Sequence, residues 1–266
     1  MSYSTLSVKN LNFGVEYYLE EGQRIVTARI FPPHVDDRLE FYILIDGDAS
    51  FSVENNVYKL TAGDVVISKP NQIHNCILNS NSVHKHLCFW FDSSCEFLFE
   101  KINNLQSNLV SPPVEEKEKL LDIYKELRIA RDCGDELKQF TLFVAMIEII
   151  GKYVDKISVQ QIVPDILKNI LDDLNTSFTE INSLSYFTEK YSVSSSTLNR
   201  LFKQHLNTSP KLYLETKRLA YARILLRKGE NVMTACMKAG FTDYSNFIRL
   251  FKKRFNVTPN QYKNKK

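Results

Sequence analysis

The stretch RLFKKRFNVTPNQY at residues 249–262 repeats, in the same order, the stretch RLFKQHLNTSPKLY at residues 200–213. The shared positions are an Arg-Leu-Phe-Lys run, an asparagine, a proline and a tyrosine, all offset by 49 residues. A repeat at a fixed offset indicates one structural unit used twice. Each unit is helical and basic, and two such units in tandem allow one chain to contact two neighbouring turns of duplex DNA.

Each repeat is predicted to be a helix-turn-helix. A helix, a turn and a second helix are predicted at residues 183–191, 192–193 and 194–206 in the first repeat, and at residues 232–239, 240–242 and 243–255 in the second. Ser194 and Asp243 begin the two second helices, and both residue types are preferred N-caps. The start of the second helix enters the major groove in this motif, so we term these two the reading helices.

The reading helices are amphipathic. Apolar residues form the predicted buried stripes: Leu198, Leu201 and Phe202, then Phe247, Leu250 and Phe251. Polar and basic residues form the opposite stripes, and we predict that these contact DNA: Ser195, Ser196, Asn199, Arg200 and Lys203, then Tyr244, Ser245, Asn246, Arg249 and Lys252. Arginine can bond bidentately to guanine, and asparagine to adenine. The alternative is an ordinary solvated helix face, which the duplication and the local positive charge disfavour.

One long helix connects the repeats. It is predicted to begin at Pro210, to continue to Arg227 and to end at Gly229. Its buried side is predicted to hold Leu212, Leu219, Ala222 and Leu226. A helix of this length spans about 27 Å. That is close to the separation of about 34 Å that seats two reading helices in successive major grooves.

Positive charge is concentrated in the C-terminal part of the chain. Residues 164–266 hold 18 Lys and Arg against 8 Asp and Glu, a balance of +10. The remaining residues have a balance of −7, so the net charge of +3 conceals this asymmetry. The asymmetry indicates that only the C-terminal part binds a polyanion, although a solvated basic face is the alternative.

The sequence is typical of a cytoplasmic protein. The N-terminus lacks the order of residues that defines a signal peptide. The most apolar run, residues 142–150, is interrupted by Glu148 and is too short to span a bilayer. The five cysteines match no zinc or redox spacing, so we expect reduced thiols and no membrane contact.

The first 110 residues are predicted to form an all-β domain. Short segments rich in β-branched and aromatic residues alternate with turn residues, which is typical of an antiparallel barrel or sandwich. The predicted strands lie at residues 24–31, 40–45, 51–53, 57–60, 65–68 and 84–91.

Two helices follow the predicted barrel, at residues 114–130 and 135–154. The second is apolar nearly all round, because Leu137, Phe140, Val144 and Ile147 occupy one side and other apolar residues occupy the rest. Such a helix is buried between domains or between subunits, so we predict that it mediates dimerisation. Residues 155–163 form the predicted linker to an all-α domain.

Residues 164–266 resemble the DNA-binding domain of the AraC/XylS family of transcriptional regulators. The second repeat has the most specific match: the family's Gly-Phe turn at 240–241, Ser-x-Phe at 245–247, Phe-Lys at 251–252, Thr-Pro at 258–259 and the tyrosine at 262. Asn207 and Asn256 stand where the family usually has glycine, and asparagine tolerates the left-handed backbone required there. Thr188 and Cys236 replace a small alanine of each first helix.

The resemblance implies a cupin-like barrel at the N-terminus. Glu40 before Gly47, and residues 63–64 leading to His74, resemble the two cupin half-motifs. In metal-binding cupins, such motifs supply His and Glu ligands. This chain offers His34, Glu40 and His74, which could hold Fe, Mn or Zn, with Asp36 near the position of another expected histidine. Regulators of the family usually keep the barrel without the metal, so the resemblance implies no metal and no cofactor.

One predicted strand supplies candidate effector ligands. Residues 83–91 alternate, so that His84, His86, Cys88 and Trp90 share one face. An aromatic ring beside histidine and glutamate suits a sugar or polyol. Core packing with a satisfied buried histidine is the alternative. The candidate effector-binding residues are Glu40, Tyr42, His74, His86, Cys88 and Trp90.

The sequence therefore predicts a regulator in three parts: a barrel at residues 1–110, a helical dimerisation segment with linker at 111–160, and a tandem helix-turn-helix domain at 161–266. The resemblance implies binding to duplex DNA and activation by contact with RNA polymerase. Effector binding would shift the population of domain or dimer arrangements, and no step requires catalysis. Two alternatives stay open: a barrel that answers to a partner protein, and a metal-dependent cupin enzyme fused to a DNA-binding domain.

Overall fold

The computed structural model describes residues 4–8, 13–19, 32–80, 83–91, 102, 105, 107–155 and 163–264. The strands in this part of the chain are β1 (Ser4–Val8), β2 (Phe13–Leu19), β3 (His34–Val35), β4 (Leu39–Asp46), β5 (Ala49–Val53), β6 (Asn56–Lys59), β7 (Val65–Ser68), β8 (Ile73–Leu78), β9 (Lys85–Phe91) and β10 (Leu109–Val110). The helices are α1 (Val114–Asp132), α2 (Glu136–Gly151), α3 (Asp165–Ser177), α4 (Ser185–Lys190), α5 (Ser195–Leu206), α6 (Pro210–Arg227), α7 (Val232–Lys238), α8 (Tyr244–Phe255) and α9 (Pro259–Asn264). The strand predicted at residues 24–31 lies outside the described residues.

The strands form two antiparallel sheets. The larger has the order β1-β2-β9-β4-β7-β10, and the smaller has the order β3-β8-β5-β6. In the larger sheet Glu40 is the register partner of Trp90, and in the smaller sheet His34 is the register partner of His74. The predicted all-β N-terminal domain is therefore confirmed.

Alternation along β4 and β9 separates two apolar clusters. Phe41 and Phe89 stack with ring centroids 4.8 Å apart and pack with α1 and α2 on the outer face of the sheet. Tyr42, Cys88 and Trp90 point to the opposite face, where they pack with residues of the smaller sheet. The predicted division of residues 83–91 into two faces is confirmed, because successive strand side chains point to opposite sides.

Helix α2 has one buried side and one exposed side. Asp135 caps it by accepting a hydrogen bond from the backbone N–H of Lys138. Phe143 packs edge-on against Phe89 of the sheet, whereas Leu137 is 77% exposed and Val144 is 45% exposed. The barrel thus covers only one side of this apolar helix. None of the helices in the described part of the chain combines the length and apolarity needed to cross a lipid bilayer.

The C-terminal part is helical, and its helix ends follow local capping rules. Ser194 and Asp243 cap the reading helices α5 and α8, which begin one residue after each cap. Both reading helices end at an asparagine in the left-handed region, Asn207 at φ 50° and Asn256 at φ 58°. The asparagines therefore substitute for the family's glycine, as predicted.

The connecting helix α6 has the predicted bounds, but one predicted core residue is wrong. Leu219, Ala222 and Leu226 are buried, whereas Leu212 is 41% exposed. Leu212 lies in the first turn of α6, and helical periodicity alone cannot show which part of an apolar stripe another element covers. The following Gly229 has φ 92°, which ends the helix.

The barrel and the first helix-turn-helix share one apolar core. Val35 and Ile73 of the smaller sheet belong to the same buried cluster as Leu174 of α3 and Phe202 of α5. The division of the chain at residues 110 and 160 stays a prediction.

Candidate functional site: DNA-reading face and barrel triad

Reading helix α5 is anchored on its apolar side and free on its polar side. The Ser194 hydroxyl accepts a 3.0 Å hydrogen bond from the backbone N–H of Thr197, which satisfies one of the unpaired donors at the helix start. Leu198 and Phe202 are buried in the shared core. The side chains predicted to contact DNA are all exposed: Ser195, Ser196, Asn199, Arg200 and Lys203.

Reading helix α8 has the same construction. Asp243 accepts a 2.9 Å hydrogen bond from the backbone N–H of Asn246. Phe247 and Phe251 are fully buried, and Phe241 of the preceding turn packs against Phe247. Of the residues predicted to contact DNA on this helix, Asn246 is half-buried, and the others are exposed: Tyr244, Ser245, Arg249 and Lys252.

Two side chains predicted to contact DNA, Arg249 and Lys203, are pre-oriented by hydrogen bonds. Arg249 Nη2 donates a 2.7 Å hydrogen bond to Asn246 Oδ1, and Lys203 Nζ donates a 2.9 Å hydrogen bond to Asn207 Oδ1. A guanidinium held by a neighbouring amide loses less conformational freedom when it binds a base. Thr188 lies in α4, the first helix of the first helix-turn-helix, and is half-buried. Its hydroxyl donates to the backbone carbonyl of Ser185, so it is satisfied within its own helix.

Glu40 is the centre of a buried polar cluster inside the barrel. Trp90 Nε1 donates a 2.7 Å hydrogen bond to Glu40 Oε2, and His74 Nε2 lies 3.4 Å from the same oxygen. Glu40 and Trp90 belong to the larger sheet, whereas His74 belongs to the smaller one. The cluster therefore joins the two sheets across the barrel interior.

Two histidines face Glu40 in a defined tautomer. His34 Nδ1 lies 3.3 Å from the carbonyl oxygen of Pro32, and His74 Nδ1 lies 2.9 Å from the carbonyl oxygen of Gln72. A carbonyl oxygen only accepts, so each Nδ1 is the donor, and each Nε2 has a lone pair when the ring is neutral. One ligand atom from each of His34, Glu40 and His74 lies within 4.8 Å of the others, and we term this set the triad.

The triad fits a divalent transition-metal ion. His74 Nε2 is buried and has no hydrogen-bond partner among the described residues. A neutral Nε2 and an ionised carboxylate oxygen are both acceptors, so at 3.4 Å they need a cation between them, either a proton or a metal ion. Metal–ligand bonds of about 2.1 Å in tetrahedral geometry place ligand atoms about 3.4 Å apart. Two imidazoles and one carboxylate suit Fe, Mn or Zn.

Asp36 does not complete the triad. Its Oδ1 accepts hydrogen bonds from the backbone N–H groups of Asp37 and Arg38, at 2.8 Å and 3.3 Å. The side chain thus closes a local turn. The sequence placed Asp36 near the position of another ligand, and the structure gives it a local bonding role.

Burial and mutual charge set the protonation of the triad. Burial, helped by the charge of His74, lowers the pKa of His34 to about 4. Burial opposes a charge on His74, but the Glu40 carboxylate outweighs it and raises the pKa of His74. Burial also opposes a charge on Glu40, but His74 outweighs it and lowers the pKa of Glu40 to about 2. Protonated His74 and ionised Glu40 therefore form an ion pair beside a neutral His34.

The other candidate effector ligands lie deeper in the barrel. The Tyr42 hydroxyl is 3.2 Å from His84 Nε2 and 3.5 Å from Cys76 Sγ, and its ring stacks on His86 with centroids 5.1 Å apart. Sequence reasoning did not select His84 or Cys76, although His84 shares the alternation of His86. The structure brings the six predicted effector residues into one interior and buries all of them: Glu40, Tyr42, His74, His86, Cys88 and Trp90.

Comparison with known proteins agrees with both halves of this description. The family model described as an AraC-like ligand binding domain matches residues 20–97, and the one described as a helix-turn-helix domain matches residues 187–265. The chain therefore combines a domain similar to the AraC-like ligand binding domain with a helix-turn-helix domain.

Curated relatives match this chain only in part. The transcriptional activator RhaR of Mannheimia succiniciproducens is 31% identical over 100 residues, 37% of this chain and 36% of RhaR. The transcriptional activator RhaS of Salmonella arizonae is 35% identical over 94 residues, 35% of this chain and 34% of RhaS. The chain thus covers about a third of the length of these relatives. Among solved structures, ToxT from Vibrio cholerae is 16% identical, with a TM-score of 0.38 and coverage of 94% of this chain and 97% of ToxT.

Basic side chains of the helical domain dock onto the barrel. Lys217 pairs with Glu54, and Arg227 pairs with Asp37. The charges of Arg223 and Arg227 outweigh burial and lower the pKa of Asp37. Sequence reasoning assigned none of these contacts, because ion pairs between distant segments leave no local pattern.

Proposed function

We propose that the protein is a sequence-specific DNA-binding transcription regulator of the cytoplasm that activates transcription by contacting RNA polymerase. The observation that carries the proposal is the pair of reading helices, each anchored by a buried apolar stripe and each presenting exposed polar and basic side chains. The relatives named as transcriptional activators are similar to this chain over about a hundred residues each, which supports the same role here.

The spacing of the reading helices favours one DNA duplex as the ligand of both. Helix α6 has 18 residues and therefore spans about 27 Å between the two units. Successive major-groove sites on one face of DNA are about 34 Å apart. The excess of basic residues in this part of the chain supplies phosphate contacts, which position the helices without reading the bases.

The barrel is proposed to bind a small effector through its buried polar set. Glu40 and His86 would bond a hydroxylated ligand, and Trp90 would provide a stacking surface. The guanidinium of Arg38 lies over the Trp90 ring, 5.1 Å from its centroid. A ligand that stacks on this face of Trp90 would displace Arg38. Arg38 lies four residues after His34 and directly follows Asp37, which pairs with Arg227 of the helical domain. Effector binding would in this way reach the boundary with the helical domain.

A homodimer is proposed through the exposed side of α2. Leu137 and Val144 lie seven residues apart, on one face of the helix, and both are exposed. The two-helix layer of α1 and α2 covers the barrel and leaves this stripe uncovered. A second copy that packs on the stripe would place two DNA-binding domains on one operator.

Experiments can distinguish two alternative functions from this proposal. A barrel that answers to a partner protein would give no thermal stabilisation with any small ligand in a screen, whereas a bound ligand at a hundred times its Kd adds about 2.7 kcal/mol. A metal-dependent enzyme would need substrate turnover by the triad.

Sequence selection from a random duplex pool tests the proposed function. The full chain, with EDTA present, is expected to enrich a motif with two half-sites about one helical turn apart. Affinity for that motif is expected to fall with salt at a log–log slope of about −0.9 for each phosphate neutralised. Enrichment of no sequence, or affinity independent of salt, would contradict the proposal.

A further inference from the structure

The segment that contains His34 also holds the second reading helix. The backbone carbonyl of Pro33 accepts a 2.9 Å hydrogen bond from Arg254 Nη2, in the last turn of α8. Val35, the next residue after His34, is buried in the core shared with the first helix-turn-helix. Of these three successive residues, Pro33 thus contacts the second reading helix, His34 belongs to the triad, and Val35 packs with the first helix-turn-helix.

The strand that contains His74 holds the first reading helix in the same way. Asn75 Nδ2 donates a 3.2 Å hydrogen bond to the backbone carbonyl of Leu206, the last residue of α5. That carbonyl belongs to the last turn of the helix, where no intrahelical donor is available. Each triad histidine is therefore adjacent in sequence to a residue that binds the end of one reading helix.

The two strands meet at the triad. His34 and His74 are register partners on β3 and β8, and their rings contact edge to face with centroids 4.3 Å apart. β3 has only two residues, so its backbone ladder contributes few hydrogen bonds. The His34 side chain adds its contact with His74 to this short ladder.

We propose that His34, Glu40 and His74 bind one divalent transition-metal ion, and that the bound ion fixes residues 33–37 on β8 and thereby the docking of both reading helices on the barrel. A regulatory role for this metal ion depends on the proposed function of the chain as a DNA-binding regulator. It departs from the metal-free barrel that the family resemblance implied.

The geometry supplies the route from ion to DNA-binding domain. Glu40 Oε2 and His74 Nε2 are already 3.4 Å apart, the spacing that a tetrahedral ion imposes, whereas the limit for the whole set is 4.8 Å, so the ion would draw His34 toward the other two ligands. His34 is the half-buried member, on the short strand, and is therefore the ligand that moves most readily. Its movement shifts Pro33 against Arg254 and Asp37 against Arg227.

A calorimetric titration with Zn²⁺ tests the site. Tag-free full-length protein, stripped with EDTA and dialysed, is expected to bind one Zn²⁺ per chain. His34→Gln and Glu40→Gln should each weaken binding at least about 100-fold, the most that loss of a supporting hydrogen bond alone costs. His205→Gln removes a histidine outside the barrel and should leave the stoichiometry and affinity unchanged. Thermal melts in EDTA establish that each variant is folded. If one of the two ligand variants does not fold, the other still tests the site.

Hydrogen exchange tests the coupling. Zn²⁺ is expected to slow amide exchange of residues 34–37 and of residues 250–256 in the unchanged protein. Arg254→Ala should bind Zn²⁺ with unchanged affinity and retain protection at 34–37, but lose the protection at 250–256. Protection at 250–256 that persists in Arg254→Ala would overturn the proposed route.

The outcomes separate this proposal from the proposed function. Failure to bind Zn²⁺, or binding that survives both His34→Gln and Glu40→Gln, overturns the metal site while sequence selection in EDTA still stands. If sequence selection fails both with Zn²⁺ and with EDTA, the proposed function as a DNA-binding regulator is overturned. The titration then tests only whether the triad binds a metal ion. A motif bound with equal affinity in Zn²⁺ and EDTA overturns the coupling.

Discussion

Tyr213 donates a 3.1 Å hydrogen bond to the backbone carbonyl of Glu54, whereas Tyr262, at the equivalent position of the second repeat, packs 5.8 Å from the ring of Phe251. The Tyr262 hydroxyl is buried and has no hydrogen-bond partner among the described residues. At one position of the repeat the tyrosine hydroxyl thus bonds the barrel, whereas at its counterpart the tyrosine contributes its ring.

We expect the two tyrosines to differ when the hydroxyl is removed. Tyr213→Phe leaves the Glu54 carbonyl without its donor and should lower the free energy of unfolding by about 1 kcal/mol. Tyr262→Phe removes an unsatisfied hydroxyl and should be neutral or slightly stabilising. Urea unfolding of both variants measures the difference, and equal losses would show that the interdomain hydrogen bond contributes nothing.

Arg249 is expected to read a base. Arg249→Ala should weaken binding to the selected motif by about 1–3 kcal/mol and relax the preference at particular base pairs. Lys263→Ala, outside the reading helices, should weaken all sequences alike. Arg200→Ala should cost less than Arg249→Ala, because the first repeat departs more from the family pattern. Competition binding against random DNA separates these effects, and equal loss on both DNAs would make Arg249 a phosphate contact.

Val144 is expected to lie in the dimer interface. Val144→Glu buries a charge between the two α2 helices and should give folded monomers that bind a single half-site weakly. Ile129→Glu is a matched control, because Ile129 is 65% exposed on the neighbouring helix α1. Light scattering at micromolar concentration gives the mass of each protein. A monomeric unchanged protein, with and without the selected DNA, would refute the dimer.

The barrel set is expected to transmit the effector signal. His86→Ala and Trp90→Phe should abolish the response of the full chain to its inducer, because each removes a group proposed to touch the ligand. Without inducer, binding of both full-length variants to the selected motif should be unaffected, since the reading helices are unchanged. A reporter assay with and without inducer checks both variants. A full response in both would place the signal outside the barrel.

The helical half could be predicted closely from sequence because its determinants are local. Ser194 and Asp243 fix the starts of the reading helices, and the left-handed asparagines fix their ends, so the predicted bounds agree within about two residues. Leu212, the residue of α6 that was predicted wrongly, obeys helical periodicity but is 41% exposed.

The barrel was harder to predict because polar residues interrupt its strands. β8 contains His74 and Asn75, which disturb the apolar alternation, and their contacts include Glu40 and Leu206, far away in sequence. The docking role of Arg254 escaped prediction for the same reason, since nothing local distinguishes it from the neighbouring basic residues that face solvent.

The buried histidines predict a pH dependence of stability. Burial lowers the pKa of His86 to about 3, with help from the charge of His84, and lowers the pKa of His84 to about 4. In the unfolded chain the pKa of both histidines is 6.5. As pH falls below 6.5, the unfolded state therefore binds protons that the folded state does not bind. Their stabilising contribution is complete above pH 6.5 and is lost progressively toward the folded pKa.

For His86 alone, the loss between pH 8 and pH 5 is about 2 kcal/mol. His86→Gln should remove this component, so its urea-unfolding free energy should fall less steeply than that of the unchanged protein over the same range. The difference at pH 8, where both histidines are neutral, records the packing cost of the substitution and serves as the internal control. Parallel curves from pH 8 to pH 5 would show that His86 accepts a proton in the folded barrel.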